Sequence, residues 1–446
     1  MSSGGRSAGA AALRDPGKRE RAEMGIPVVP VVDGVRWLAV VSVLLAHVWF
    51  YAGDFRAFRG TPLHPLLSAA VGALDLFFIV SGFVMFLPAA ARAGEFGSKS
   101  AYAVRRAARI FPAYWVCLGL LLLFFPLLAA GHPPAFYNFG GAAVLAHLTG
   151  VQTYFQMSPS LGPRVPLGFG VDGALWTLSV EVLFYALLPF IARSFYRRPV
   201  AFLALALAGS ALFRLEAAHL AAGWLALLGY PVTHSGTQAI AYSFTLQLPA
   251  RAGDFAIGMF GAYAMVRLQR RPLGSAQPIA AFIGAIAALA AAIAFSALFV
   301  ASHGGGTAGG ESFYRSALME TVVPLMLGTV LLGITLSPPR ITAPLATRKI
   351  VSLAEMSYGT YLYHLPLITF GIYTLGLPDD PSAGSFLLVF AFTLSAACVM
   401  GWLSYVLIEV PARERGRRLS RSLGSRLTAS TGTAQVARSS PPAGRN

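Results

Sequence analysis

Apolar residues in this chain come in long unbroken runs, separated by short polar stretches rich in arginine, glycine and proline. About 20 consecutive apolar residues carry a helix across the hydrocarbon core of a bilayer. Runs of that order fall at 32–52, 66–90, 110–130, 175–192, 200–222, 249–268, 278–301, 318–337, 350–375 and 384–408. The pattern predicts an all-α polytopic membrane protein of about ten transmembrane helices. Continuous apolar runs exclude a membrane β-barrel, which needs short alternating strands.

The polar stretches add orientation. Arg92, Lys99, Arg105, Arg106 and Arg109 lie between the second and third runs. Arg193, Arg197 and Arg198 follow the fourth, Arg267, Arg270 and Arg271 the sixth, and Arg340, Arg348 and Lys349 the eighth. The alternate stretches hold scattered positives such as Arg56, Arg59, Arg164 and Arg315, and the last has Asp379 and Asp380. Lysine and arginine accumulate on the cytoplasmic side, so both termini are expected in the cytoplasm, in agreement with an even number of crossings.

Composition sharpens this picture only at its edges. The 446 residues are 56% hydrophobic and 12% charged, with a mean hydropathy of +0.64, which no soluble domain matches. The net charge of +16 belongs to the inter-run clusters and the two ends, so it points to a membrane and not to nucleic acid. Cys117 and Cys398 each fall inside an apolar run, which leaves neither a disulfide framework nor a cysteine metal site. Residues 1–30 read as a disordered cytoplasmic tail, 31–412 as the transmembrane domain, and 413–446 as a basic disordered cytoplasmic tail. The long outer segment 131–174 has an apolar patch near 141–154, read as an interfacial helix or a re-entrant piece. No repeat of the transporter kind and no soluble catalytic domain is evident.

Ionisable groups inside apolar runs cost several kcal/mol unless they have partners or a function. Arg36 and His47 share the first run at an offset of eleven residues, about three helical turns, and so line one face roughly 16 Å apart. Asp75, Glu181 and His364 sit inside later runs, and Glu409 ends the last one. Each also has a bland reading. Asp33 reads as a helix N-cap, Arg36 as a snorkelling side chain, and Glu409 with Arg413 as a surface ion pair. Arg105, Arg106 and Arg109 alone are an ordinary cytoplasmic cluster, and Ser81-Gly82 a small-residue helix contact.

In combination the motifs have an order. Asp33-Gly34-x-Arg36 with His47 comes first, then Asp75-x-Phe77-Phe78-x-x-Ser81-Gly82, then Arg106-x-x-Arg109-Ile110-x-Pro112-x-Tyr114-Trp115. Trp176-x-Leu178-Ser179-x-Glu181-x-x-Phe184-Tyr185-x-x-x-Pro189 follows, then Ser357-Tyr358-x-x-Tyr361-x-x-His364-x-Pro366, and Glu409-x-Pro411 with Arg413 and Arg415. Over roughly 31–418 this order resembles the acyltransferase 3 family of integral-membrane O-acyltransferases. The sequence departs from that pattern at Trp37, Thr177 and the apolar pair Val182-Leu183, which points to an unusual acceptor.

The resemblance implies a ten-helix core in the cell membrane and transfer of an acyl group, acetyl above all, from acyl-CoA to a hydroxyl. The acceptor class it implies is a carbohydrate, a cell-envelope glycan or a glycosylated natural product of the macrolide type. His47 is the expected general base, since an imidazole can be neutral near pH 7. Glu181 or Asp75 is expected to orient it, in the manner of a carboxylate-backed base. Arg36, Arg106 and Arg109 are the expected ligands of the donor's phosphates. Ser81, Tyr358 and His364 are candidate substrate or oxyanion contacts. No Ser or Cys stands out as a covalent nucleophile, so direct transfer is favoured, with no metal. The alternative from another class is a proton-coupled transporter or flippase with His47, Asp75 and Glu181 as a proton relay.

Overall fold

The structure, a computed structural model, describes residues 22–23, 25–53, 56–70, 72–128, 141–155, 172–270, 274, 276–301 and 312–422. Residues 1–21, most of the expected C-terminal tail, and Arg164 lie outside the described residues. Among the described residues there is no strand, and every regular element is helical. The helices are α1 (Pro30–Tyr51), α2 (Leu63–Ala70), α3 (Ala73–Ala91), α4 (Lys99–Leu128), α5 (Gly141–Thr149) and α6 (Trp176–Arg197). They continue with α7 (Pro199–Leu215), α8 (Ala217–Leu227), α9 (His234–Thr245), α10 (Leu248–Gln269), α11 (Gln277–Ala301) and α12 (Ser312–Leu336). The last three are α13 (Arg348–Glu355), α14 (Ser357–Thr369) and α15 (Ala383–Ser404), and α15 runs on through a π turn to Ser422.

Each of the ten apolar runs contains helix, but among the described residues seven helices are long and apolar enough to cross a membrane, or eight with one bent pair. Three runs account for the difference. The run 200–222 bends by 60° at Glu216, between α7 and α8. The run 350–375 is interrupted at Met356, between α13 and α14, and ends in a π turn over 370–374. In α10, Arg251, Asp254 and Arg267 interrupt an otherwise apolar sequence. Those first two charges are buried and paired inside the protein, so hydropathy understates how deeply α10 is enclosed.

Local chemistry sets the helix ends that matter for the site. Pro30 opens α1 after Val29, so Asp33 is not the N-cap that the sequence suggested. It sits in the first turn, where a carboxylate favours the helix dipole, 3.4 Å from Arg36. Asp172 accepts the Ala174 N–H at 2.8 Å and caps a short turn that runs straight into α6. The apolar patch near 141–154 forms α5 and one further helical turn.

The packing centre is α3 against α10. A Cβ on Gly82 would overlap the Phe255 carbonyl oxygen, and one on Gly258 would overlap the Ile79 carbonyl oxygen, so the two backbones touch at two places. Such close approach is the main source of helix association in lipid, where apolar burial gives little preference for a partner helix. Around it Phe184 stacks on Phe255 at 4.0 Å between ring centroids, and Phe78 meets the same ring at 5.1 Å. Ser81, the neighbour of Gly82, is thereby held at a fixed depth.

Candidate active site

Five helices meet around one cavity. Arg36 of α1, Ser81 and Phe77 of α3, Arg109 and Ile110 of α4, Glu181 and Tyr185 of α6, and Ser357, Tyr358 and Tyr361 of α14 all line it. Arg36, Ser81, Arg109, Glu181 and Tyr358, expected from sequence to act in one site, therefore share a space although they lie up to 322 residues apart in the chain.

Its polar wall is a short chain of hydroxyls ending on a carboxylate. Ser81 Oγ donates to Glu181 Oε1 at 2.6 Å, and Tyr185 OH lies 2.9 Å from the same Ser81 oxygen. Since the Ser81 proton is engaged with Glu181, Tyr185 is the donor in the second bond. Arg36 Nη2 donates to the Ala354 carbonyl at 2.7 Å, which fixes the guanidinium between α1 and α13. Arg109 has no hydrogen bond or ion pair among the described residues, yet lies near enough to act electrostatically on Arg36 and Glu181. Two guanidiniums thus border one cavity, together with the Glu181 carboxyl. Arg106 stands beside the Tyr102 ring, 5.7 Å from its centroid, and is not part of the lining. Tyr358 OH donates to the Ile110 carbonyl at 3.0 Å, so its one proton is spent on backbone.

His47 lies beyond this lining, in contact with His364. His364 Nε2 and His47 Nδ1 are 3.0 Å apart, with ring centroids 5.0 Å apart. The other nitrogen of His364 faces the Tyr361 carbonyl one turn back in α14. The Tyr361 ring, between this pair and the cavity, stacks on Phe77 at 5.6 Å, and its hydroxyl bonds to Thr177 at 2.8 Å and to the Ala174 carbonyl at 2.7 Å. Among the described residues no carboxylate is hydrogen-bonded to His47. Glu181 is engaged by Ser81.

Asp75 is elsewhere. It pairs at 3.0 Å with Arg251, which also faces Asp254 at 4.0 Å and Glu320 at 3.5 Å, while Arg214 holds Glu320 at 2.8 Å. This buried cluster ties α3, α7, α10 and α12 together. Arg214, Arg251, Asp254 and Glu320 escaped the sequence reading, although each is an ionisable group inside an apolar run and could have been found by that rule. Glu409 and Arg413 do pair, but Glu409 is fully buried, so the pair is not the surface contact that the sequence suggested. No group of three or more His, Cys, Asp or Glu that could hold a metal ion occurs among the described residues.

Close to the C-terminal end of α1, Asp172 is fully buried, and one of its carboxylate oxygens has no hydrogen-bond partner. Burial pushes this carboxyl up to about 7, and the Ala174 N–H that it accepts opposes the shift.

The acyltransferase 3 family model, described as an acyltransferase domain, matches residues 29–405, and the chain belongs to this family. It is therefore a multi-pass membrane enzyme that transfers acyl groups other than amino-acyl groups. Nodulation protein 10 of Rhizobium leguminosarum bv. viciae is 31% identical over 174 residues, 36% of this chain and 43% of that protein. The putative membrane-bound transacylase BcsY of Komagataeibacter xylinus is 27% identical over 414 residues, 87% of this chain and 86% of the relative. The peptidoglycan O-acetyltransferase OatA of Listeria monocytogenes is 24% identical over 402 residues, 87% of this chain and 56% of the relative. The matches thus cover less than two thirds of the nodulation protein and of the O-acetyltransferase. No solved structure matches the chain.

Proposed function

We propose that the protein transfers an acyl group, acetyl above all, from acyl-CoA to a hydroxyl of a carbohydrate, a cell-envelope glycan or a glycosylated natural product. The observation that carries this reading is the cavity that gathers Arg36 and Arg109 with Ser81, Glu181 and Tyr185. Guanidiniums suit the phosphates of a CoA donor, since their fork of N–H donors matches phosphate oxygens. Arg106, one turn from Arg109, adds charge at the same end of α4. The distance of roughly 16 Å along α1 from Arg36 to His47 suits an extended pantetheine arm, with the phosphates at the arginines and the thioester near the imidazole. The carbohydrate class draws support from the relative named as a peptidoglycan O-acetyltransferase.

In this reading His47 is the general base. It takes the proton of the acceptor hydroxyl while that oxygen bonds to the thioester carbonyl carbon. The tetrahedral adduct then collapses, the carbon–sulfur bond breaks, and His47 returns the proton to the departing thiolate. Direct transfer is preferred because the base of this reading, His47, serves the acceptor hydroxyl and no serine or cysteine of the chain. The same reading puts the protein in the plasma membrane as a ten-crossing domain over 31–412, with both ends cytoplasmic. The basic stretches after the second, fourth, sixth and eighth runs support that orientation, and it gives the arginines access to cytoplasmic CoA.

Binding and turnover of radiolabelled acetyl-CoA by the full-length protein in nanodiscs test the proposal. Arg106→Ala/Arg109→Ala should abolish binding, whereas His47→Ala should bind normally and turn over about 100-fold or more slowly. Folded wild-type protein that does not bind acetyl-CoA would overturn the donor assignment.

A further inference from the structure

The two histidines constrain each other's protons. A backbone carbonyl can only accept, so the His364 nitrogen facing the Tyr361 oxygen, Nδ1, carries hydrogen. In a neutral ring the other nitrogen, Nε2, then has the lone pair. His47 Nδ1, 3.0 Å from that lone pair, must supply the hydrogen of the bond between them. The Val43 carbonyl, one turn back in α1, also accepts from the His47 ring. The protons of the pair are then placed from two fixed carbonyls, Tyr361 in α14 and Val43 in α1. Both nitrogens of His364 are consumed, and its side chain is fully buried. It has nothing left to offer a substrate or an oxyanion.

We propose that His364 is a positioning residue that locks His47 in the Nδ1–H tautomer, so that Nε2 of His47 is the nitrogen that takes the acceptor's proton. The proposal rests on the reading of His47 as base and gives its mechanism a second component. When Nε2 accepts the proton, the imidazolium keeps its Nδ1–H directed at the His364 lone pair, and this hydrogen bond becomes charge-assisted. A neutral imidazole thus takes the place that a carboxylate occupies in carboxylate-backed bases. That choice suits a bilayer interior, because no fixed negative charge has to be buried when the site is at rest.

The titratable surroundings agree with this assignment. From α1 the neighbours of His47 are Val43 and Tyr51, from α14 Tyr361 and His364, and from α3 Phe77 next to Tyr361. No carboxylate competes for the Nδ1 proton among the described residues.

Two amides separate the roles of the two His364 nitrogens. In His364→Gln the amide oxygen falls where Nε2 was and can still accept from His47. In His364→Asn the amide falls where Nδ1 was; it can bond the Tyr361 carbonyl but removes the acceptor across from α1, leaving His47 only the Val43 carbonyl of its own helix. The experiment uses full-length protein in nanodiscs with 15N-labelled histidine, and His47 is assigned among the eight histidines by comparison with His47→Gln. Nitrogen shifts should report the Nδ1–H tautomer in wild type and in His364→Gln, and its loss in His364→Asn. In parallel, acetyl-CoA turnover should fall about 100-fold in His364→Asn and less than tenfold in His364→Gln, with KM for acetyl-CoA unchanged in both. A wild-type His47 in the Nε2–H form, or equal losses in the two variants, overturns the proposal. If His47→Ala retains turnover while the shifts come out as stated, the base reading fails and the tautomer lock stands.

Discussion

Two groups of charges sit inside this membrane protein, and they are built on opposite principles. In the cluster of Asp75, Arg214, Arg251, Asp254 and Glu320, each guanidinium faces at least one carboxylate, and Arg251 faces three. In the cavity, Arg109 has no hydrogen bond or ion pair among the described residues, Arg36 is anchored by a carbonyl and one carboxylate, and Glu181 is occupied by hydroxyls. The first arrangement sets three carboxyl groups against two guanidiniums and joins four helices. The second leaves one guanidinium, Arg109, beside an open space with no hydrogen bond or ion pair among the described residues, where a ligand can bring negative charge. Intramembrane charge is thus a sign of function only where its partners are missing.

The largest effect that separates the two regions should come from Arg251→Met. Removing the cation leaves Asp75 and Asp254 buried without an ion-paired cation, only Glu320 keeping Arg214, and about 3–5 kcal/mol of stability should be lost. A large drop in the thermal unfolding midpoint, or failure to accumulate folded protein, is expected. The same kind of change at Arg109 should shift the midpoint little and weaken acetyl-CoA binding instead. Equal stability losses at the two positions would break the distinction.

Next in size is Gly258→Val. The added carbons must displace the Ile79 carbonyl, at a cost of about 1–3 kcal/mol. Because Ile79 and Ser81 share a turn of α3, turnover should fall even in the protein that remains folded. Activity unchanged at a lowered midpoint would mean that α3 adjusts without moving Ser81.

A pH-dependent effect sharpens the contrast from the other side. Asp172 is a buried carboxyl with no cation in ion-pair contact among the described residues, and burial raises it to about 7 from the ordinary aspartate range. A group raised on folding adds stability that is complete below its unfolded value and disappears as pH rises through its folded value. Between pH 4 and 7 the wild-type midpoint should therefore decline relative to that of Asp172→Asn. Parallel midpoints across this range would show that the carboxyl does not titrate there.

What could be read from the sequence follows from the range of the interactions concerned. All ten apolar runs are helical because burial and intrahelical hydrogen bonding are local, and hydropathy registers both. Membrane-crossing length was harder to read. The run 350–375 looks continuous but breaks at Met356, and α10 is enclosed despite charges that only its neighbours neutralise. The gathering of Arg36, Arg109, Ser81, Glu181 and Tyr358 follows the spaced motifs closely. The partner of His47 does not: a carboxylate was expected, and the structure supplies His364 from a helix 317 residues away. Nothing in either segment's periodicity encodes a contact between two distant helices. Asp75 was misleading for the same reason, since its partner Arg251 is contributed by α10.

The double backbone contact between α3 and α10 has a mechanical consequence. With Gly82 seated on Phe255 and Gly258 on Ile79, neither helix can rotate or slide past the other without a carbonyl colliding with a neighbouring chain. The pair behaves as a single stator, and Ser81 is mounted on it.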